Sequence, residues 1–214
     1  MTRPRSSDPS RARVPRLVIA VAVAAASSAS CAAPLAVPPA AVVEQARVVP
    51  SYSARLGVSL RGPELRARTR VLLAFQRPDG LRIEIPGPTG ARLVAVARGD
   101  QLWAVFPGER AIYSGAARAE DLESLLGVAL SPAEVMDLLT GVRSPRVREY
   151  RVRWGASLPR QIDATLPDGA RLKATVEDAQ APATTLGESA FTEPAHAGYR
   201  SVDADQARAL WSAR

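Results

Sequence analysis

The sequence predicts a single α+β domain, an antiparallel sheet with one dry face and helices to cover it. Three observations carry that reading. Apolar and polar residues alternate with period two through nine stretches after residue 51. Most of those stretches follow one another across short turns rich in Gly, Pro and Asp. Two amphipathic segments with helical spacing interrupt them.

The elements follow in order. Tyr52, Ala54, Leu56, Val58 and Leu60 alternate with Ser53, Arg55, Ser59 and Arg61, the pattern of a strand with a buried and a wet side. After Gly62-Pro63-Glu64 a second long strand sets Ala67, Thr69, Val71, Leu73 and Phe75 against Arg66, Arg68, Arg70 and Gln76. Pro78-Asp79-Gly80 signals a hairpin into Leu81, Ile83 and Ile85. The loop Pro86-Gly87-Pro88-Thr89-Gly90 leads to strands at Ala91–Val96, Leu102–Phe106 and Ala111–Tyr113, completing a six-strand meander. Arg118–Leu126 places Leu122, Leu125 and Leu126 on one helical stripe and stops at Gly127. Ser131-Pro132-Ala133-Glu134 supplies a capping Ser, Pro at the first helical position and Glu at the third. It starts a second helix whose apolar face is Val135, Met136, Leu138 and Leu139, ending at Gly141. Strands resume at Val147–Trp154, Leu158–Leu166 and Ala170–Glu177, and Asp203 to Gln206 caps a short terminal helix bearing Leu210 and Trp211.

The N-terminal end reads differently. Residues 1–30 hold Arg3, Arg5, Arg11, Arg13 and Arg16 against one acid, Asp8. An apolar run from Leu17 to Ala26 and the small residues Ser27-Ser28-Ala29-Ser30 follow, ahead of Cys31. Charged region, short apolar region and small residues are the order of a secretory signal, and the run falls short of the roughly 20 residues a spanning helix needs. Cys31 in that context resembles the lipobox cysteine of bacterial lipoproteins, which implies a lipid attached at Cys31. Ser28 departs from the large aliphatic residue favoured third before that cysteine, so cleavage at an Ala-x-Ala-like site is the alternative. Ala32 does not resemble the acidic residue that retains such proteins at the inner membrane, which implies outer-membrane placement facing the periplasm. Residues 31–50, with Pro34, Pro38, Pro39 and Pro50, read as the attachment point and an extended spacer. A short helix over Val42 to Val49, packed on the domain, is the other reading. The expected organisation is signal 1–30, tether 31–50 and domain 51–214.

Composition excludes several function classes. One Cys and one His, His196, among 214 residues leave no disulfide framework and no thiolate or His cluster for a metal. The formal charge is +7, of which +4 lies in residues 1–30, so the remainder is near neutral and carries no overall signature of nucleic-acid binding. His196 lies in a loop-like segment, and the acid pairs Glu120-Asp121 and Glu177-Asp178 read as solvated ends of elements. No phosphate-binding glycine loop and no Gly-x-Ser-x-Gly elbow occur, so neither an enzyme nor a cofactor is expected.

Two amphipathic helices leave part of such a sheet uncovered, and the segment order points to what fills it. Long strands with a charged outer face, the Gly-Pro-x-Gly loop after the third strand and a helical pair after the sixth resemble the LolA/LolB-like family of outer-membrane lipoprotein carriers and receptors. The likeness runs from about Tyr52 to Glu177, and the stretch LRIEIPGPTGARLVAVARGDQLWAVFPGERAIYSG carries most of it. The resemblance implies an incomplete β-barrel, or half-barrel, closed by helices over an apolar cavity that accepts acyl chains of lipoproteins or other lipids. Burying about sixteen methylenes is worth on the order of 12 kcal/mol, so holding a chain in water requires a concave apolar site. The inward residues expected to line it are Leu56, Val58, Leu60, Val71, Leu73, Phe75, Ile83, Ile85, Leu93, Trp103, Val105, Leu122, Leu126, Met136 and Leu139; each is otherwise ordinary core. In the receptor branch the loop after the third strand carries an exposed Leu that meets the membrane. Here that loop is Pro88, Thr89 and Gly90, and Thr89 lacks the apolar reach. The expected partners are acyl chains, a membrane held through the N-terminal anchor, and an envelope protein. The competing readings are a lipoprotein that holds an envelope partner without transporting anything, and a membrane-spanning barrel, which the two capped helices disfavour.

Overall fold

A computed structural model describes residues 38, 40–62, 66–183 and 187–212; Cys31, the expected export signal 1–30 and the first part of the expected spacer lie outside the described residues. Ten strands form one sheet: β1 (Ser51–Arg61), β2 (Arg66–Gln76), β3 (Gly80–Gly87), β4 (Gly90–Arg98), β5 (Gln101–Phe106), β6 (Ala111–Ala116), β7 (Glu149–Trp154), β8 (Pro159–Thr165), β9 (Arg171–Gln180) and β10 (Arg200–Ser201). Their order is β10-β6-β5-β4-β3-β2-β1-β9-β8-β7. All neighbours are antiparallel except β10, which lies parallel to β6. The edge strands β7 and β10 do not meet, so the sheet is an open half-barrel, the α+β architecture expected.

Helix α1 (Ala40–Arg47) lies within the stretch read as spacer, close to the alternative helix over Val42 to Val49, and buries Ala46. Helices α2 (Ala119–Leu126) and α3 (Pro132–Leu139) fall where sequence placed them. Gly127 ends α2 with φ 70°, the left-handed conformation glycine adopts without penalty. The predicted capping box at α3 is formed, Ser131 and Glu134 exchanging bonds with each other's backbone amides. Helix α4 (Ala204–Ser212) is the predicted terminal helix.

The sheet has two unlike faces. On the front, Leu56, Val71, Leu73, Phe75, Leu81, Ile85 and Leu93 join Leu122, Leu125, Leu126, Met136, Leu139, Ala207 and Trp211 in one core, so α2, α3 and α4 cover this face. On the back, the face of β3 and β4 is covered by the chain's own return: the 3-10 turn Glu188–Phe191 packs against those two strands, with Phe191 over Gly80. The back of β2, β1 and β9 is left to solvent and carries the charges of the alternating pattern.

Two expected cavity residues belong on the other side. Trp103 and Val105 face the back of the sheet, Val105 opposite Val94 and Ile112 and Trp103 opposite Val96 and Ser114. The front positions of β5 are Leu102, Ala104 and Phe106. Alternation cannot choose between these sets, because β5 runs apolar on both faces; on the back Val105 is buried and Trp103 half-buried.

Candidate functional site

Between the front of the sheet and the helices lies an apolar hollow of about 120 Å³. Ten of the expected residues line it: Leu56, Val58 and Leu60 from β1, Val71 and Leu73 from β2, Ile83 and Ile85 from β3, Leu122 and Leu126 from α2, and Leu139 from α3. The inward positions of strands meet the stripes of two helices there, as period two against period 3.6 requires. Thr69 is the one hydroxyl-bearing residue in the wall.

Three other expected residues sit in the front core without reaching the hollow. Phe75 stacks on Tyr52 with ring centroids 5.2 Å apart. Leu93, opposite Ile85 on β4, and Met136 of α3 are fully buried. The wall is completed by residues sequence reasoning left out: Ala67 and Thr69 on β2, Ile162 on β8, Leu172 and Ala174 on β9, the connection residues Val128 and Leu130, Val135 and Leu138 of α3, and Trp211 of α4. The alternation of β8 and β9 contained the signal for Ile162, Leu172 and Ala174. Trp211 stood on the apolar side of the terminal helix, but nothing in sequence placed that helix against α2 and β6.

The hollow has a direction. Val58, Ala67, Thr69, Val128, Val135 and Leu172 are only half-buried, so the wall thins toward the β1–β2 connection and the loop between α2 and α3. The tip Pro88, Thr89 and Gly90 lies at the same end of the sheet and is exposed.

Polar contacts fasten the helices over it. Arg77, in the β2–β3 turn, donates from Nη2 to Asp137 Oδ1 at 2.8 Å and to Thr140 Oγ1 at 3.4 Å, tying the C-terminal end of α3 to the sheet. Its guanidinium also stands over the Phe75 ring, 5.6 Å from the centroid. The Tyr150 hydroxyl donates to the Leu138 carbonyl at 3.0 Å, and burial with the Asp137 charge pushes that phenol above its ordinary range. The Tyr113 hydroxyl donates to Asp121 of α2 at 2.9 Å; burial, then this bond and the Asp121 charge, push it up to about 12. Glu134 anchors the start of α3. Burial pushes its carboxyl up, but bonds from Ser144 Oγ at 2.6 Å, the Ser131 amide at 2.8 Å and Ser131 Oγ at 3.0 Å, with Arg146 nearby, outweigh this and hold it below the ordinary value. The Trp211 indole N–H is buried and finds no hydrogen-bond partner among the described residues.

His196 lies on the C-terminal return, its Nδ1 2.9 Å from the Pro194 carbonyl and 3.5 Å from Glu193. Among the described residues no group of three or more His, Cys, Asp or Glu could hold a metal ion.

No family model and no curated protein matches the chain. Solved structures similar to it include a LolA superfamily protein from Nitrosomonas europaea, 12% identical with a TM-score of 0.44, the match covering 74% of this chain and 99% of that one. An uncharacterized conserved protein from Thermus thermophilus is 9% identical with a TM-score of 0.44, over 76% of this chain and 95% of that one. A domain from Vibrio parahaemolyticus, provisionally named as outer membrane lipoprotein-sorting, is 8% identical with a TM-score of 0.39, over 71% and 95%.

Proposed function

We propose that the protein is a lipid-anchored envelope protein that shelters acyl chains of lipoproteins or other lipids between its sheet and its helices. Cys31 is the anchor, and the domain acts at the periplasmic face of the outer membrane, in lipoprotein localisation. The observation that carries this is the hollow itself: a sheet and three helices converge on it with a single hydroxyl in the wall. An ordinary core of this size interdigitates, and voids in it are few.

Its volume defines the state. A dry cavity of about 150 Å³ accommodates benzene, and sites for drug-sized ligands run from roughly 300 Å³ upward. At about 120 Å³ the hollow is closed to a full acyl chain. Loading therefore requires α2, α3 or α4 to move outward, and the half-buried end near Val58, Thr69 and Val128 is the entrance that movement opens. The apolar gain of about 0.8 kcal/mol per methylene is of the size needed to break the few polar contacts that fasten the helices.

Titration with a fluorescent fatty acid, paired with native mass spectrometry of the purified protein, tests the reading. Saturable binding is expected, with at least about a tenfold loss in Val58→Trp, which fills the entrance by ~1.4 kcal/mol of lost affinity. A protein that carries no lipid and binds no probe, or a folded Val58→Trp that binds undiminished, overturns it and leaves a tethered module that only holds a partner.

A further inference from the structure

The back of the sheet carries a second concavity, an open groove of about 710 Å³. Its floor is Gly57 and Ser59 of β1 with Thr175 of β9, and its walls are Arg68 and Arg70 of β2 and Lys173 of β9, with Arg61 at one end. Register explains the shape: Ser59 lies between Arg68 and Lys173, and Gly57 between Arg70 and Thr175, so long cationic side chains rise on both sides of small ones. One row on, Arg66, Arg61 and Arg171 stand directly abreast on three neighbouring strands.

Like charges directly opposite across strands destabilise a sheet, so this arrangement opposes the fold. The back of β2, β1 and β9 holds seven cations, Arg55 being the seventh, against the carboxylates of Glu177 and Asp178. Arg70 meets Glu177 at 3.6 Å, and among the described residues no carboxylate lies within 4.0 Å of the Arg61, Arg68 or Lys173 head groups. The near-neutral charge of the domain thus conceals a local excess on one surface. Leu72 continues the row Arg66, Arg68, Arg70 on the same face and is 39% exposed, a large apolar side chain left in solvent. Among the described residues no aromatic side chain lines the groove to stack a base.

We propose that this face docks the protein on an anionic bilayer surface, its guanidinium and ammonium groups taking lipid phosphates while Leu72 enters the headgroup layer. The cationic rows fit any polyanion; Leu72 and the absence of aromatic residues favour lipid. The proposal is independent of what the hollow on the opposite face contains.

Vesicle flotation of the full chain tests it, with phosphatidylcholine alone and with an equimolar phosphatidylglycerol mixture. Each cation at an anionic surface contributes roughly fivefold to partitioning. Arg68→Gln with Lys173→Gln should lower binding to the anionic vesicles on the order of 30-fold and leave binding to phosphatidylcholine unchanged. Arg68→Lys with Lys173→Arg should retain binding. Arg98→Gln with Arg118→Gln removes the same charge outside the groove and should behave as the unaltered chain, which also cancels the contribution of the basic N-terminal segment. The melting temperature of the groove variant should equal or exceed that of the unaltered chain, because like charges are removed. Equal losses in the groove and control variants overturn the proposal. So does a groove variant that loses heparin or single-stranded DNA binding but keeps its vesicle binding.

Discussion

Trp211→Ala asks whether α4 is part of the fold's closure or of its cargo site. Trp211 is 7% exposed and forms part of the hollow's wall. Burying an aromatic side chain of roughly 200 Å² is worth about 5 kcal/mol at 25 cal/mol per Å², an upper bound. Two features lower that figure. The unpartnered indole N–H carries a desolvation cost of about 1–3 kcal/mol, which truncation removes. The residue also stands in the last turn of the terminal helix, where the backbone relaxes easily. A net loss of about 2–3 kcal/mol is expected, read as a lower urea midpoint with unchanged m-value. The same truncation enlarges the hollow beyond its about 120 Å³, so the affinity for a fluorescent fatty acid should rise. Saturating probe at about 100 times its Kd should then return about 2.7 kcal/mol of stability. A folded Trp211→Ala protein that binds the probe no better refutes the reasoning, because the space the indole vacates would then not belong to the site that the probe enters.

Three further outcomes follow from the same contacts. Arg77→Ala should cost about 1 kcal/mol and raise amide hydrogen exchange in α3 selectively, since the pair with Asp137 is only partly shielded from water. Because the Glu134 carboxyl sits below its ordinary value, its contribution is complete above the unfolded carboxylate pKa of about 4.3 and is lost as pH falls through the lower folded value. Glu134→Gln should therefore cost about 2 kcal/mol at neutral pH, with the gap in urea midpoints closing in acid. Cys31→Ala should abolish metabolic labelling with palmitate; labelling that persists excludes attachment at this residue.

Much of the architecture was legible because β1, β2, β7 and β9 each keep one wet face. Along β1 and β2, charged residues at every second position leave one choice of inward side, and Leu56, Leu60, Val71 and Leu73 line the hollow accordingly. The inward side is not readable where polarity no longer alternates. In β5 both faces are apolar, and nothing local distinguishes Trp103 and Val105 from Leu102 and Ala104. Strand β10 is two residues long and owes its existence to the edge of β6, so no periodicity announces it. The basic groove was invisible for a related reason: whole-chain charge averages over surface, and only register sets Arg66, Arg61 and Arg171 side by side.

The return of the chain from the back of the sheet, along the margin of β6 and onto the front, has a consequence for biogenesis. Strand β10 occupies the margin of β6, where a bare strand would recruit other chains, and the residues that follow it supply Ala207 and Trp211 to the interior. Synthesis delivers this segment after β1–β9 and α1–α3. Until it arrives, the nascent polypeptide has an unsealed border and an interior covered by α2 and α3 alone, so completion of the native state waits on it, and a variant that lacks α4 should yield insoluble material.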